Sequence, residues 1–403
     1  MRRLVPLAVL ASSAVALHAQ NVPKRPFLSD GDTNSAGDYY AFGLSVLDRD
    51  PRKASDAFYW ASRIDPTWAK PLYARRIALL LDADDRFVIG YLEGVRSFTH
   101  SKQAQRIDSL ETRARMLSPF LERDLEENLL RRLVLALYND THVGGLTQPG
   151  DRQEFEFYME RYFRVDAPPS LRAVLAVAEH NFPKAIDLYR DALQRQRSGA
   201  AEIHESLANI FFFIGKGDSA RVELGAALHI LRQEDKKDFV YLYESKAALE
   251  HGVGLVSEQL GQLDSAREAY GRALQEDLSY YPSHMRLGLL AFGAADTATA
   301  LSELDLAVQI QADDPWLLTI YGALLAEAKR YPEAETQLRK AIAVEPFYAM
   351  SYFVLGRIAD FTNRPSDAIV HYRSYLAHVH AREPRAATVR QRLIELTASV
   401  SHQ

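Results

Sequence analysis

The sequence has no cysteine among its 403 residues. That absence excludes a disulfide framework, a thiolate metal site, a cysteine nucleophile and a lipid anchor on an N-terminal cysteine. The chain also lacks a long basic run, so nucleic acid is a poor electrostatic match for it. No apolar run reaches the ~18–20 residues that a membrane span needs, and we therefore predict no membrane span in the mature chain.

The composition that remains is that of a folded, soluble protein. Hydrophobic residues make up 47% of the chain and charged residues 25%, which is typical of a packed rather than a disordered sequence. The length allows two or three ordinary domains. It equally allows one long solenoid, because stacked repeats do not need a single spherical core.

The first nineteen residues form a segment of their own. Arg2 and Arg3 precede a short apolar run that ends at Leu17 and is followed by "HAQ". This order predicts a secretory signal peptide cut near Ala19, with a cut after Ala16 or a buried N-terminal helix as the alternatives. Export to a bacterial-type periplasm or medium is the corresponding expectation. Its removal takes two of the 48 basic residues and leaves 46 against 53 acidic ones, a net charge of about −7.

Small residues recur every 34 positions in the second half of the chain. One column is Gly254, Gly288, Gly322 and Gly356, and a second, twelve residues later, is Ala266, Ala300, Ala334 and Ala368. Glycine inside a helix costs ~1 kcal/mol relative to alanine. Four glycines in register therefore indicate that two backbones approach closely there. We predict that each unit is a pair of antiparallel helices that cross at these packing positions.

Turn signals support this division into helix pairs. Pro183, Pro332 and Pro365 stand where a second helix would begin, a position that tolerates the missing N–H. Asp314 and Pro315 read as the N-cap and first residue of another helix.

This pattern resembles the tetratricopeptide repeat (TPR) family, whose unit is a 34-residue helix–turn–helix with small residues at such positions. The resemblance implies an all-α fold, a right-handed α-solenoid of TPR-type hairpins, with an irregular helical segment near the N-terminal third. The predicted segments are a signal peptide (1–19), an exposed linker (20–34), degenerate hairpins (35–100), an irregular helical insertion (101–165), TPR-like repeats (166–234), four contiguous TPRs (247–382) and a C-terminal capping helix (383–403). Within the insertion, leucines from 121 to 137 predict an amphipathic helix opened by Ser118 and Pro119. Residues 234–245 read as an N-terminal extension of the next helix.

Short motifs that suggest chemistry have simpler explanations. "GVGLVS" (252–257) lacks the third glycine of a dinucleotide fingerprint, and "GKGDS" (215–219) lacks the phosphate-loop spacing. Asp30, Asp32 and Asn34 have calcium-loop spacing without the turn glycine or the final glutamate, so an exposed linker ending at an N-capping Ser35 is the alternative. His378 and His380 are two residues apart, which points them away from each other on a helix. We predict no catalytic residue, no cofactor and no metal site.

The resemblance implies that the first helix of each unit lines a concave groove. The candidate groove residues are Met285, Arg286, Leu289, Phe292, Trp316, Met350, Phe353 and Arg357. Packing between helices is the alternative role for the apolar ones. The expected function is that of an exported scaffold or adaptor, which binds a protein or peptide partner in bacterial cell-envelope assembly. Two alternatives stay open: a binder of a non-protein ligand such as an envelope glycan, and an enzyme that uses residues 83–165.

Overall fold

The computed structural model describes residues 22–29, 31–92, 96–141, 157, 167–195, 199–234 and 246–401. Within these ranges the chain forms twenty α-helices and no strand. The predicted signal peptide, most of 142–166 and the predicted extension at 235–245 lie outside the described residues.

The first seven helices form what we call the N-terminal module (described residues 22–141). They are α1 (Ala36–Val46), α2 (Pro51–Ile64), α3 (Ala69–Leu81), α4 (Asp85–Leu92), α5 (Arg96–Thr99), α6 (Lys102–Leu117) and α7 (Glu126–Thr141). Their apolar faces share one core, in which Tyr39, Phe58 and Ile77 are fully buried.

The other thirteen helices form what we call the repeat array (described residues 167–401). They are α8 (Pro169–Ala178), α9 (Phe182–Arg195), α10 (Ala200–Phe213), α11 (Gly217–Glu234), α12 (Lys246–Gln259), α13 (Leu263–Glu276), α14 (Tyr281–Gly293), α15 (Thr297–Ile310), α16 (Pro315–Glu327), α17 (Tyr331–Val344), α18 (Ala349–Phe361), α19 (Pro365–His378) and α20 (Pro384–Ser401). Consecutive helices pack as hairpins from α8–α9 to α18–α19.

The glycine and alanine columns lie where the two helices of a hairpin touch. A Cβ added to Gly254 would stand 2.3 Å from Cε1 of Tyr270, and one on Gly356 would stand 2.5 Å from the ring of Tyr372. The alanines of the second column are fully buried in the opposite helices. The small residues therefore leave the volume that an aromatic or leucine side chain of the second helix fills.

A left-handed residue ends the first helix of each hairpin and marks the same period. Positive φ angles occur at His180, Gly215, Gly261, Ala295, Lys329 and Asn363, and the last four are spaced by 34 residues. At Gly261 the chain closes a C-terminal cap, since the Gln262 N–H donates to the Ser257 carbonyl at 2.8 Å. The turn then starts the second helix within two residues. "GKGDS" (215–219) begins at one of these turns, with Gly215 in the left-handed conformation.

The predicted helix starts are confirmed where the signal is local. The Asp314 carboxylate accepts the N–H groups of Trp316 and Leu317 at 2.9 and 3.0 Å and so caps α16. Pro332 and Pro365 stand in the first turns of α17 and α19. Ser35 caps α1, and its Oγ accepts the Asp38 N–H.

One expectation about the N-terminal third is wrong. The helix predicted to open at Ser118 and Pro119 begins at Glu126, and residues 118–125 are not helical. The segment before α1, predicted as an exposed linker, has exposed side chains such as Phe27 but also tertiary contacts, because Leu28 is buried and the Asp32 carboxylate accepts the Ala381 N–H at 2.8 Å.

Candidate functional site

The burial of the candidate groove residues changes along each first helix of a hairpin. Near the N-terminal ends, Met285 is 4% exposed, and Trp316 and Met350 are half-buried. Nearer the C-terminal ends, Phe292 is 42% exposed and Arg357 is exposed. The groove is therefore covered along one half and open along the other.

The C-terminal end of α6 covers part of the groove. The side chain of Met116 packs against the buried cluster of Ala247, Ala273 and Tyr280. It also packs on the neighbouring cluster that contains Met285. Met285 was expected to be an anchor for a partner, but its burial leaves it no free surface for that role.

The segment after α6 continues along the same face toward the start of the array. Phe120 stacks on Phe212, with ring centroids 4.0 Å apart and an interplanar angle of 8°. The Asn209 side-chain N–H donates to the Leu121 carbonyl at 3.3 Å. Residues 118–125 are thus held by tertiary contacts in a conformation that is not helical.

The hairpin α1–α2 closes on the other end of the array. Arg63 Nε donates to Glu345 Oε2 at 2.8 Å, and the edge of Trp60 meets the Phe347 ring at a centroid distance of 5.2 Å. Phe347 packs on the core of the N-terminal module. We call the array residues that receive the module the covered groove: Glu205, Phe212, Tyr280, Glu345 and Phe347.

Long side chains and loops, rather than close helix packing, make these contacts. Among the described helices, α7 against α8 is the one pair that packs closely between module and array. Those two helices are neighbours along the described chain. Elsewhere the module reaches the array through arginine, methionine and aromatic side chains, and through Asp32 and Asn34 in the segment before α1.

No contact from a described residue of the module covers the other half of the groove, which we call the open strip: Leu289, Phe292, Ala326, Arg357 and Phe361. Phe361 is 75% exposed, and its ring lies 6.0 Å from that of Tyr331. A cavity of about 190 Å³ opens beside it, lined by residues of α16, α17 and α18 that include Ala326 and Arg357. The strip therefore combines exposed aromatic surface with a concave site.

The charged side chains at or near the strip differ in whether they already form an ion pair. Arg286, expected as a free cation for a partner, donates through Nε to Glu258 Oε1 at 3.1 Å. Arg357 forms no ion pair with any residue that the structure describes. The nearby carboxylate of Asp360 is held by Arg392 at 2.9 Å. Arg357 is therefore a cation that the strip offers, beside Lys329 and Glu327, which line the same cavity.

Two further candidates make contacts inside the array. The Phe353 ring lies 5.3 Å from that of Tyr375, and Met350 packs in the same apolar cluster at the end of the array.

A buried histidine lies behind the covered groove. His251 is 3% exposed, its Nδ1 lies 3.0 Å from Ser283 Oγ, and burial lowers its pKa to about 3. A neutral imidazole in this position packs and hydrogen-bonds but carries no charge. In the described part of the chain, no three His, Asp or Glu side chains are grouped to hold a metal ion.

The sequence pattern did not indicate several residues of this site. Phe361 was missed because it lies one position beyond the residues that the resemblance assigns to the groove. An aromatic residue just before the turn of a repeat is a signal that could have indicated it. Arg63 and Glu345 are 282 residues apart, and neither stands in a motif. Met116 lies in a segment that was expected to be an irregular insertion.

The fold and the site define the class of the protein: an all-α solenoid of helical hairpins with a lined inner face. Residues 254–315 and 322–386 match the sequence model of the family described as "Tetratricopeptide repeat". The chain therefore contains tetratricopeptide repeats. Proteins with such repeats are in general scaffolds for protein–protein interaction. A search of curated proteins finds no match.

Several solved structures are similar to part or most of this chain at low identity. YrrB, described as a TPR protein with an unusual peptide-binding site, is 17% identical over 51% of this chain and 98% of its own, with a TM-score of 0.39. PilF of Pseudomonas aeruginosa is 17% identical over 54% of this chain and 90% of its own, with a TM-score of 0.40. The Cut9–Hcn1 assembly of the APC/C is 14% identical over 96% of this chain and 82% of its own, with a TM-score of 0.43. None of these likenesses says what this chain binds.

None of the helices that the structure describes has the length and hydropathy of a transmembrane span.

Proposed function

We propose that the chain is a scaffold or adaptor that binds a segment of another protein along the open strip. The observation that carries the proposal is Phe361, which is 75% exposed beside a cavity of about 190 Å³ on the inner face of the repeats. Phe361 is not isolated, since it adjoins Tyr331 and the apolar lining of the cavity, and a contiguous exposed apolar surface beside a concave site is typical of a binding groove.

The chemistry of the strip favours one kind of segment. An apolar side chain fills the cavity between Ala326 and Phe361, while a carboxylate of the same segment meets Arg357. A guanidinium binds a carboxylate through two parallel hydrogen bonds, which fixes orientation as well as sign. The preferred partner is therefore a peptide with an apolar residue next to Asp, Glu or a C-terminal carboxylate.

Selection from a displayed peptide library tests the proposal directly. Peptides enriched on the parent chain should lose about 5- to 150-fold in affinity on Phe361→Ala, since anchor residues contribute ~1–3 kcal/mol. Arg357→Glu should remove binding of the acidic peptides. Leu278→Ala is the matched control, because Leu278 is 77% exposed on a turn away from the strip. Peptides whose affinity is the same on all four chains would show that the strip is not the site.

We propose further that the scaffold works outside the cytoplasm, in assembly of a bacterial cell envelope. The support is the order of charged, apolar and small residues in 1–19, which is typical of a secretory signal. Fractionation of expressing cells shows where the chain is located, and N-terminal sequencing of the recovered chain shows whether the predicted signal peptide has been removed. An intact N-terminus in the cytoplasmic fraction would contradict export, and it would leave binding at the strip unaffected.

A further inference from the structure

From these contacts we infer that the covered groove is a binding surface for basic amphipathic helices, and that α6 with the segment after it is its ligand in cis. A partner that carries arginine and methionine on one helix face would compete for the same surface in trans. This inference goes beyond the proposed function, because it concerns the other half of the inner face and does not require the open strip to bind anything.

The charges across the covered groove are complementary. In both ion pairs that join described residues across it, the module supplies the cation and the array supplies the carboxylate. The two pairs are Arg63 with Glu345 at 2.8 Å and Arg115 with Glu205 at 3.0 Å. The charge of Arg113 also acts on Asp314, where it opposes the rise that burial causes in the pKa of that carboxyl. A surface that presents carboxylates to one basic helix also suits another basic helix.

Two apolar side chains anchor the end of α6 and the segment after it to the array. Met116 enters the cluster around Tyr280, and Phe120 stacks on Phe212 four residues later. A segment that binds in a groove does so through apolar anchors of this kind, and an unbranched methionine adapts readily to the surface it meets. The anchors and the arginines together give a short pattern, Arg-x-Arg-Met-x-x-x-Phe at 113–120, which describes the ligand.

The contact between α6 and the array can open. Side chains bridge α6 and the array, and the two backbones do not pack closely as helices. The Arg115–Glu205 pair lies at the edge of solvent, with the Arg115 side chain 37% exposed, and a pair of this kind is individually weak. The Arg63–Glu345 pair is more buried, with side chains 19% and 10% exposed, so breaking it removes more of the contact between module and array.

A fluorescent peptide of residues 102–121 is the probe. The parent full chain should bind it weakly, because the tethered copy occupies the groove and only the open fraction of molecules is available. The chain with Arg63→Ala and Arg115→Ala should bind the probe at least about tenfold more tightly, as the open fraction rises. Arg52→Ala is the matched control, since Arg52 is 80% exposed and pairs with Asp82 within the module.

A charge exchange then locates the site. We call the chain with Arg63→Ala and Arg115→Ala the opened chain. Adding Glu205→Arg to it should remove the increase in affinity for the parent probe, and a probe with Arg115→Glu should restore that increase. Phe361→Ala in the opened chain should leave probe binding unchanged, which separates this inference from binding at the open strip.

Two outcomes would overturn the inference. In one, the opened chain keeps its helical circular dichroism but binds the probe no better than the parent, or binds it regardless of the charge at 205. In the other, Arg63→Ala with Arg115→Ala and Arg115→Ala alone both unfold the chain, so that the module is an inseparable part of the array core.

Discussion

At the scale of single residues, Gly254 is where the helix crossing is tightest. An added methyl group would stand 2.3 Å from Cε1 of Tyr270, a ring that is fully buried. The ring is also fixed at its far end, because Tyr270 Oη donates to Glu258 Oε1 at 2.6 Å. The contact can be relieved only by moving one helix or breaking that hydrogen bond.

We predict that Gly254→Ala lowers the free energy of unfolding by ~1–3 kcal/mol through overpacking, despite the better helix propensity of alanine. Gly271→Ala is the control in the partner helix α13, where an added Cβ meets nothing within 4 Å. That change should raise stability by ~0.5–1 kcal/mol. Urea unfolding followed by circular dichroism measures both. A Gly254→Ala chain as stable as the parent would show that the crossing can relax.

At the scale of secondary structure elements, an ion pair joins the two helices of one repeat. His284 of α14 and Glu303 of α15 meet at 2.7 Å, and the hydrogen bond with Glu303 raises the pKa of His284 above its ordinary value. The folded protein therefore holds this proton more tightly than the unfolded chain does. The resulting stabilisation is complete below the unfolded pKa of about 6.5 and is lost as pH rises through the folded pKa.

We predict that His284→Gln costs more free energy of unfolding at about pH 5.5 than at about pH 8.5. Urea titrations of parent and variant at the two pH values give the difference. In a Glu303→Gln background the same substitution should cost equal amounts at both. A cost of His284→Gln that is independent of pH with Glu303 in place would refute the pairing.

Elements were predictable from sequence wherever their signals are local. The cap at Asp314 and the proline starts at Pro332 and Pro365 depend on residues within one turn, so the sequence alone locates them. The start predicted at Ser118 failed because residues far along the chain decide that segment. Asn209 binds the Leu121 carbonyl 88 positions away, and no periodicity records such a contact.

At the scale of the whole molecule, the period of 34 predicts the array but not the placement of the module across it. A repeat pattern specifies neighbours in a stack. The resemblance therefore suggested one open groove, and the burial of Met285 by a cluster that Met116 joins was not foreseeable. The sequence indicated Leu289, Phe292 and Arg357 of the open strip. It did not indicate Phe361, which lies one position beyond the residues that the resemblance assigns to the groove.

The tryptophans provide reporters for both parts of the molecule. The chain has three: Trp60 and Trp68 in the module and Trp316 in the array. Trp60 is 7% exposed against Phe347, so its emission follows docking of the module. Replacing the other two by phenylalanine gives one chain that reports on the module through Trp60, and a second design keeps Trp316 alone.

We predict that Arg63→Ala lowers the urea midpoint seen by Trp60 more than the midpoint seen by Trp316. The substitution removes the ion pair with Glu345, and that carboxylate regains water as soon as the module separates, so the array bears little of the cost. The module loses a contact that holds it in place. If both midpoints fall together by the same amount, module and array unfold as one cooperative unit, and the contact across the groove is as strong as the packing between the repeats.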